Sequence, residues 1–411
     1  MDGLSRPQGR GAADTQAVLS PETNLTMVDV TPGAGMLPLA DTDVVPSDSP
    51  LRAQQDAAAA AWTEVAGRHV ARHYGDSAGE YAAVRQAAGL AERGDRARIR
   101  MFGKDPVKMI HGLVTNDLLK AAPGQGVYAA MLTPKGRTVA ELRIFRRELP
   151  GGVEVLVELP REALAGTRDH FKKFVPPMFA KWSDVSETLV QLGVHGPQAR
   201  EIVGRVLAID PPAAEDAHVE AELGGAPVMV AATRYVGLEE GFDLFVETGA
   251  AEALWTALAE AGARPVGLGA IETLRIEAGR PRYGADLTED VIPTEAFEET
   301  GLMQRAISFG KGCYTGQEVI VRIAHRGHVN KHLRGLLLGD APAPAIGTRL
   351  VNPETGKDAG WLTSVAFSPM LGQTVALGYV RREVAPGAAV RVGAAEGAAA
   401  TVVRLPFERA G

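Results

Sequence analysis

The period of the apolar and polar positions changes repeatedly along this chain, and each change marks an element. Residues 1–50 have almost no periodicity. Gly, Pro, Ser, Asp and Thr dominate there, which reads as a disordered extension. Residues 54–72 are Ala-rich, follow a helical period and contain few breakers, so they predict a helix. A second short helix is predicted over 84–90. Residues 98–102 alternate and stop at Gly103, as a strand does. The segment 106–113 predicts a helix with Asp105 as N-cap and Pro106 at its first position. After the turn Pro123-Gly124-Gln125-Gly126, residues 127–132 and 138–145 predict a hairpin around Pro134-Lys135-Gly136. A strand over 153–159 and a helix over 161–174 follow.

The next stretch mixes the two periods again. Strand character appears at 185–194, 227–233 and 242–246, and helical character at 197–207, 250–262 and 271–278, the last ended by Gly279. Elements alternate irregularly and hairpin signals are frequent. That favours an α+β fold with mostly antiparallel sheets over a doubly wound parallel one. From His332 the pattern becomes short strands between Gly/Pro turns, at 333–338, 349–351, 358–365, 374–380, 389–392 and 399–405. Such spacing predicts a small C-terminal β-barrel or sandwich. The expected organisation is an extension over 1–50, a main α+β domain over 51–330 and a barrel domain over 331–411.

Composition narrows the function classes. At 411 residues the chain is too long for one ordinary core, and 45% hydrophobic content suffices for packed ones. A net charge of −7 gives no general attraction to nucleic acid or anionic lipid. No run of 18 apolar residues is present to span a membrane. A single cysteine rules out an internal disulfide and suits a reducing compartment, so the expected location is cytoplasmic. No Walker A loop, CxxC, HExxH or GxSxG occurs, and Gly267-Leu268-Gly269 lacks the rest of a dinucleotide fingerprint.

The lone cysteine, Cys313, sits in Ser308-Phe309-Gly310-Lys311-Gly312-Cys313-Tyr314-Thr315-Gly316-Gln317-Glu318. Glycines let backbone approach a ligand, and a nearby cation such as Lys311 favours a thiolate. The plainer reading is a buried, inert filler. Just beyond come Arg322, Arg326, Lys331 and Arg334, with no acid between Glu318 and Asp340. They suggest a strip facing an anionic ligand, or simply a solvated polar segment. His325, His328 and His332 would share a face if the segment were one helix, which would allow a metal site. Arg275, Arg280 and Arg282 cluster with Tyr283 at a helix end. They suit a carboxylate or a flat ring, while a structural ion pair of Arg275 with Glu272 or Glu277 is the simpler account. Glu239, Glu240 and Asp243 place acids beside a turn. They could hold a heterocycle's N–H groups or only solvate a loop.

Taken in order, several segments resemble the folate-binding superfamily of the glycine-cleavage T-protein. They are Gly103-Lys104-Asp105, Leu113-Val114-Thr115-Asn116-Asp117, Pro123-Gly124-Gln125-Gly126-Val127-Tyr128 and Val194-His195-Gly196-Pro197. Further along come Glu240-Gly241-Phe242-Asp243-Leu244, Leu274-Arg275-Ile276-Glu277-Ala278-Gly279 and Ala376-Leu377-Gly378-Tyr379-Val380. Lys311-Gly312-Cys313-Tyr314-Thr315-Gly316-Gln317-Glu318 is similar to the signature of the YgfZ-type branch, which includes an iron–sulfur assembly protein.

The resemblance implies three subdomains around a central tetrahydrofolate cavity, closed by the C-terminal barrel. It places a catalytic carboxylate at Glu141 and a folate-holding acid at Asp243, where T-proteins carry aspartate and glutamate respectively. An arginine of T-proteins falls on Ile271, and their C-terminal closing tyrosine has no counterpart after Phe407. The expected function is a folate-binding accessory factor for assembly or repair of iron–sulfur clusters in client enzymes, among them tRNA-modifying radical enzymes. Cys313 would be its reactive thiol, making a transient iron–sulfur contact, and Lys311 its activator. Glu141, Asp243 and Arg275 would hold the pterin end, Arg322 and Arg326 would meet the glutamate tail, and Tyr128 and Glu240 would be further folate-binding residues. Expected partners are folate and iron–sulfur client or carrier proteins. One cysteine cannot supply the usual four ligands, so any cluster would be shared with a partner. The alternative is a folate-dependent aminomethyltransferase or a related one-carbon enzyme.

Overall fold

Alternating apolar positions build two antiparallel sheets, each of which buries one face under helices. The computed structural model describes residues 47–408, apart from residues 235, 237 and 238 and the side chain of Arg326. Most of the predicted extension, residues 1–46, lies outside the described residues. The first sheet has the strand order Gly126–Leu132, Thr138–Leu149, Gly152–Pro160, Arg96–Phe102, Lys181–Asp184. Its outer face presents Ile99, Met101, Leu142, Ile144, Val155 and Val157. They pack on Ile110 of helix Pro106–His111 and Phe171 of helix Leu164–Phe174. The second sheet has the order His218–Leu223, Ala226–Thr233, Gly241–Glu247, Leu189–His195, Gly89–Glu92, Arg264–Pro265. Only the last pair is parallel. Its outer face, with Leu192, Val194, Val230, Phe242 and Leu244, packs on the helices Ala199–Leu207 and Thr248–Glu260.

The third part is a closed six-stranded barrel in the order Lys331–Gly339, Gln373–Arg381, Asp358–Ser368, Arg349–Val351, Ala389–Val392, Ala399–Val403. Helix Leu268–Glu277 fastens it to the sheets. Arg275 Nη2 donates to Ser364 Oγ at 2.7 Å, and Ser368 Oγ donates to Glu277. Gly279 ends that helix at φ +66°, and a Cβ there would sit 2.7 Å from Leu405 Cβ. Glycine is therefore required both by the left-handed backbone and by the close approach of the C-terminal segment.

The α+β architecture and the barrel agree with the sequence pattern, but some elements differ. The helix predicted over 54–72 is only Arg52–Ala57, followed by a hairpin of strands Ala61–Val65 and Arg68–His73. Ala66 (φ +43°) and Gly67 (φ +77°) form its turn, and the burial of Val65 and Val70 outweighs the helix preference of the alanine run. The helix predicted at 84–90 is Ser77–Gln86, and Gly89–Glu92 is instead a sheet strand. Strand His218–Leu223 gave no clear signal: it lies at a sheet edge, where only His218 is buried and Glu220 and Glu222 are exposed. Helix Gln317–Arg326 ends before Gly327, and His332 lies in strand Lys331–Gly339. The three histidines therefore do not share a helix face. Among the described residues no group of three or more His, Cys, Asp or Glu side chains is placed to hold a metal ion.

Candidate functional site

A strand period of two that buries one face must aim the intervening residues the other way. In the middle of both sheets several of those intervening residues are charged or polar, and the two inner faces meet. From the first sheet come Arg96, Glu158, Arg143 and Glu141. Glu158 stands opposite both Arg98 and Arg143 in register. From the second come Asp243, His195 and Gln191, with Asp243 opposite Gly193 and His195 opposite Gly241. All are buried. One end of the layer is sealed by Phe145, Leu156, Met229 and Phe245. At the other end Tyr128, Ala130 and Leu132 pack beneath Phe297, Ile320 and the barrel's Tyr379.

Charge pairing holds the layer together. Arg143 bridges Asp243 through Nη1 and Asp216 through Nε, the latter at 2.9 Å. Arg96 pairs with Glu158 and, through Nη1, with Glu141 Oε1 at 3.2 Å. Burial alone would raise the Asp243 carboxyl, but the Arg143 and Arg93 charges outweigh it and hold it below the usual carboxylate range. Glu141 behaves oppositely. Burial pushes its carboxyl up, because Arg96 is shared with Glu158 and the Glu158 charge adds to the rise. Burial also drives the His195 ring down to about 4, so it is neutral near pH 7.

Four buried polar atoms of this layer have no hydrogen-bond partner among the described residues: Glu141 Oε2, Gln191 Oε1, His195 Nε2 and Asp243 Oδ1. Buried polar atoms are rarely left so, and each costs about 1–3 kcal/mol unless a ligand or water satisfies it. A cluster of four on two facing sheets is a candidate ligand site. A groove of about 1130 Å³, lined by Arg147, Glu187, Glu220 and Glu247 among others, shares Met229 and Phe245 with that sealing wall and contains none of the predicted site residues.

The predicted residues are distributed unevenly around this layer. Glu141 and Asp243 lie within it. Tyr128 is buried at its edge, with the Arg305 guanidinium 4.7 Å from its ring centre. Arg275 is committed elsewhere: it pairs with Glu272 of its own helix at 2.8 Å and with Asp286 at 2.5 Å, and its bond to Ser364 joins helix to barrel. Glu240 pairs with Arg200 at 2.6 Å, half-buried at the turn before strand Gly241–Glu247. Arg322 is exposed on helix Gln317–Arg326, and the Arg326 side chain is outside the described residues.

Cys313 is exposed on its loop. The Lys311 ammonium is buried and donates to three backbone carbonyls, His111 and Val114 at 2.6 Å and Asn116 at 2.9 Å. These bonds clamp the cysteine loop onto residues 111–116. Burial draws the Lys311 ammonium down to about 8.

Sequence reasoning missed Arg96, Arg143, Glu158, Gln191 and His195 as site residues. The available signal was charge at alternate positions of strands whose intervening positions are apolar, as in Arg96–Phe102 and, within Thr138–Leu149, residues 140–144.

Two helix-covered sheets that enclose a charged layer, with a barrel fastened to their end, define the glycine-cleavage T-protein class of architecture. The chain belongs to that family: the GCVT N-terminal domain matches residues 51–308, and the glycine cleavage T-protein C-terminal barrel domain matches residues 331–408. An aminomethyltransferase of Desulforamulus reducens is 33% identical over 331 residues, covering 79% of this chain and 87% of the relative. One of Saccharopolyspora erythraea is 33% identical over 373 residues, covering 89% and 98%. The fold is shared with the glycine cleavage system aminomethyltransferase T of Bartonella henselae, at TM-score 0.77 and 23% identity over 88% of this chain and 98% of that one. These names speak for the T-protein superfamily as a whole rather than for its YgfZ-type branch.

Proposed function

We propose that this chain binds tetrahydrofolate in the inter-sheet layer and uses it for one-carbon transfer, in the manner of an aminomethyltransferase. The observation that carries the reading is the set of unpartnered polar atoms around Glu141, Gln191 and Asp243. Their chemistry fits the group. A reduced pterin offers ring N–H and amino donors, Asp243 Oδ1 and Gln191 Oε1 are free acceptors, and the Glu141 carboxyl can donate or accept. When bound, tetrahydrofolate supplies the nitrogens that take up the one-carbon unit.

The remaining work falls to the chain. Arg96 donates to Glu141 Oε1, so the proton of a neutral Glu141 sits on Oε2. That oxygen is the unpartnered one, turned away from the salt bridge. Release of an amine from an aminomethyl group takes up a proton, and a buried acid with a raised pKa is suited to give one. Arg143 fixes the Asp243 carboxylate through its second oxygen and leaves Oδ1 for recognition. The hydrophobic wall of Phe145, Leu156, Met229 and Phe245 excludes water from one end. The test is methylene-tetrahydrofolate formation from an aminomethylated carrier protein. Turnover lost in Glu141→Gln and kept in Cys313→Ala supports the proposal; no turnover by the native chain overturns it.

A second reading has one observation of its own. Cys313 is exposed on a loop held by three hydrogen bonds from Lys311. A presented thiol suits an accessory role toward iron–sulfur clients, with folate sensed rather than turned over. Complementation of a host lacking its own copy decides it: loss of cluster-enzyme activity specifically in Cys313→Ala supports this reading, and full rescue ends it.

A further inference from the structure

The strand Leu189–His195 carries a histidine that no part of the proposed transfer chemistry uses. His195 stands opposite Gly241 and two residues beyond Gly193, on the inner face of the sheet. Both glycines leave room for its ring. A Cβ on Gly241 would lie 2.3 Å from Nδ1, and one on Gly193 would lie 2.4 Å from Nε2. The imidazole is therefore laid flat along the sheet, Nδ1 over Gly241 and Nε2 over Gly193. Gly193 is the register partner of Asp243, so Nε2 is the nitrogen on the Asp243 side. Nε2 has no partner, and neither has Asp243 Oδ1, so the two do not reach each other. His195 is 1% exposed, as is Asp243, and a water-filled surface cannot account for either orphan.

We infer that His195 Nε2 and Asp243 Oδ1 together recognise one edge of the bound heterocycle, and that this edge is a cyclic amide. The inference rests on the folate reading above. A neutral imidazole carries one N–H, and the carboxylate on its Nε2 side favours the proton at Nε2. The ring is neutral near pH 7, as burial requires. The pair then offers a donor at His195 and an acceptor at Asp243, side by side. A lactam presents the complement, N–H beside C=O. In a reduced pterin those groups are the ring N3–H and the 4-oxo oxygen. A 4-amino ring lacks both and offers a donor where His195 also donates. Such a site should reject it, because a buried donor or acceptor would be left unpaired.

The test compares 5-formyl-tetrahydrofolate with its 4-amino-4-deoxy counterpart by titration calorimetry, on native protein, His195→Ala and His195→Gln. The native chain should prefer the 4-oxo ligand by about tenfold or more, from one such unpaired group. His195→Ala should lose most of that preference. His195→Gln, whose amide can still donate from a similar position, should keep it. A second readout needs no substitution: the His195 Nε2 resonance of native protein should shift when 5-formyl-tetrahydrofolate saturates the site. His195→Ala with an undiminished preference, or an Nε2 resonance that does not move at saturation, overturns the assignment and leaves folate binding intact. A native chain that binds neither ligand overturns the folate reading itself, and this inference with it.

Discussion

The inter-sheet layer and the Lys311–Glu318 segment invite opposite first impressions. The segment is continuous in sequence, glycine-rich and unique for its cysteine, yet Cys313 ends up exposed and its lysine spends its hydrogen bonds on backbone. The layer is scattered over residues 96–243 in no single continuous motif, yet it gathers buried charges and four unpartnered polar atoms. Sequence compactness thus marks a loop that must keep its shape. A site assembled across two sheets shows only as charge at positions where a strand should be apolar. The two regions also differ in how they should fail when altered.

The largest effect is expected at Arg143, which pairs with both Asp243 and Asp216. Arg143→Ala leaves the buried Asp243 carboxylate without its bonded cation, while Asp216 keeps Arg305 at 2.8 Å. Removing one partner of a buried ion pair costs about 3–5 kcal/mol. Urea unfolding should show a loss of that size. A loss below about 1 kcal/mol would mean that water reaches the layer and that it is no enclosed site.

Glu141→Gln should separate stability from chemistry. The folded Glu141 carboxyl keeps its proton to higher pH than the unfolded one, so its contribution to stability is lost as pH rises above about 4.5. A neutral glutamine removes that loss, so the variant should be as stable as native protein or more so near pH 7, with a flatter profile from pH 4.5 upward. Transfer should nevertheless fall by about 100-fold or more, as for loss of a general acid. Unchanged transfer would move the chemistry away from the layer.

How much of this was legible in advance follows the same division. The barrel was readable because each of its strands is bounded by Gly/Pro turns and repeats a simple period. The central strands of the two sheets were readable and the α+β class followed, whereas Gly89–Glu92, Lys181–Asp184, His218–Leu223 and Arg264–Pro265 were not. The Ala61–Val65 and Arg68–His73 hairpin was not, since an alanine run carries a helix preference that only tertiary burial of Val65 and Val70 overrides. In the site, Glu141 was legible through family resemblance alone, and Asp243 through resemblance and as an acid beside a turn. Arg143 and His195 were not, because which strand lies across from Asp243 is a matter of sheet pairing. Arg275 was rightly open to a structural account: the pair with Glu272 was legible from spacing, whereas Ser364 comes from a distant barrel strand that no local spacing announces.

A smaller effect is expected at Lys311. Its ammonium holds three carbonyls around residues 111–116, and a hydrogen bond from a charged group is worth about 1.5–3 kcal/mol. Lys311→Ala should cost about 2 kcal/mol overall and loosen the loop, seen as faster amide exchange over residues 308–316. If that variant instead keeps native stability while the alkylation rate of Cys313 falls sharply, Lys311 acts on the thiol rather than on the backbone.

The smallest effect belongs to Cys313 itself. An exposed side chain on a loop flanked by Gly310 and Gly312, each with open space where a Cβ would stand, touches little that folding depends on. Cys313→Ala should change stability by less than about 0.5 kcal/mol, the usual range for surface positions. It should also leave the affinity for 5-formyl-tetrahydrofolate unaltered, because the unpartnered atoms of Glu141, Gln191, His195 and Asp243 lie in the layer and not on the loop. That near-silence makes it the sharpest probe of the contrast. A variant that folds and binds as well as native protein, yet fails to restore cluster-enzyme activity in cells, isolates the thiol as a second working part. A variant that also loses folate affinity would show the loop reaching into the layer, and the separation of the two regions would be wrong.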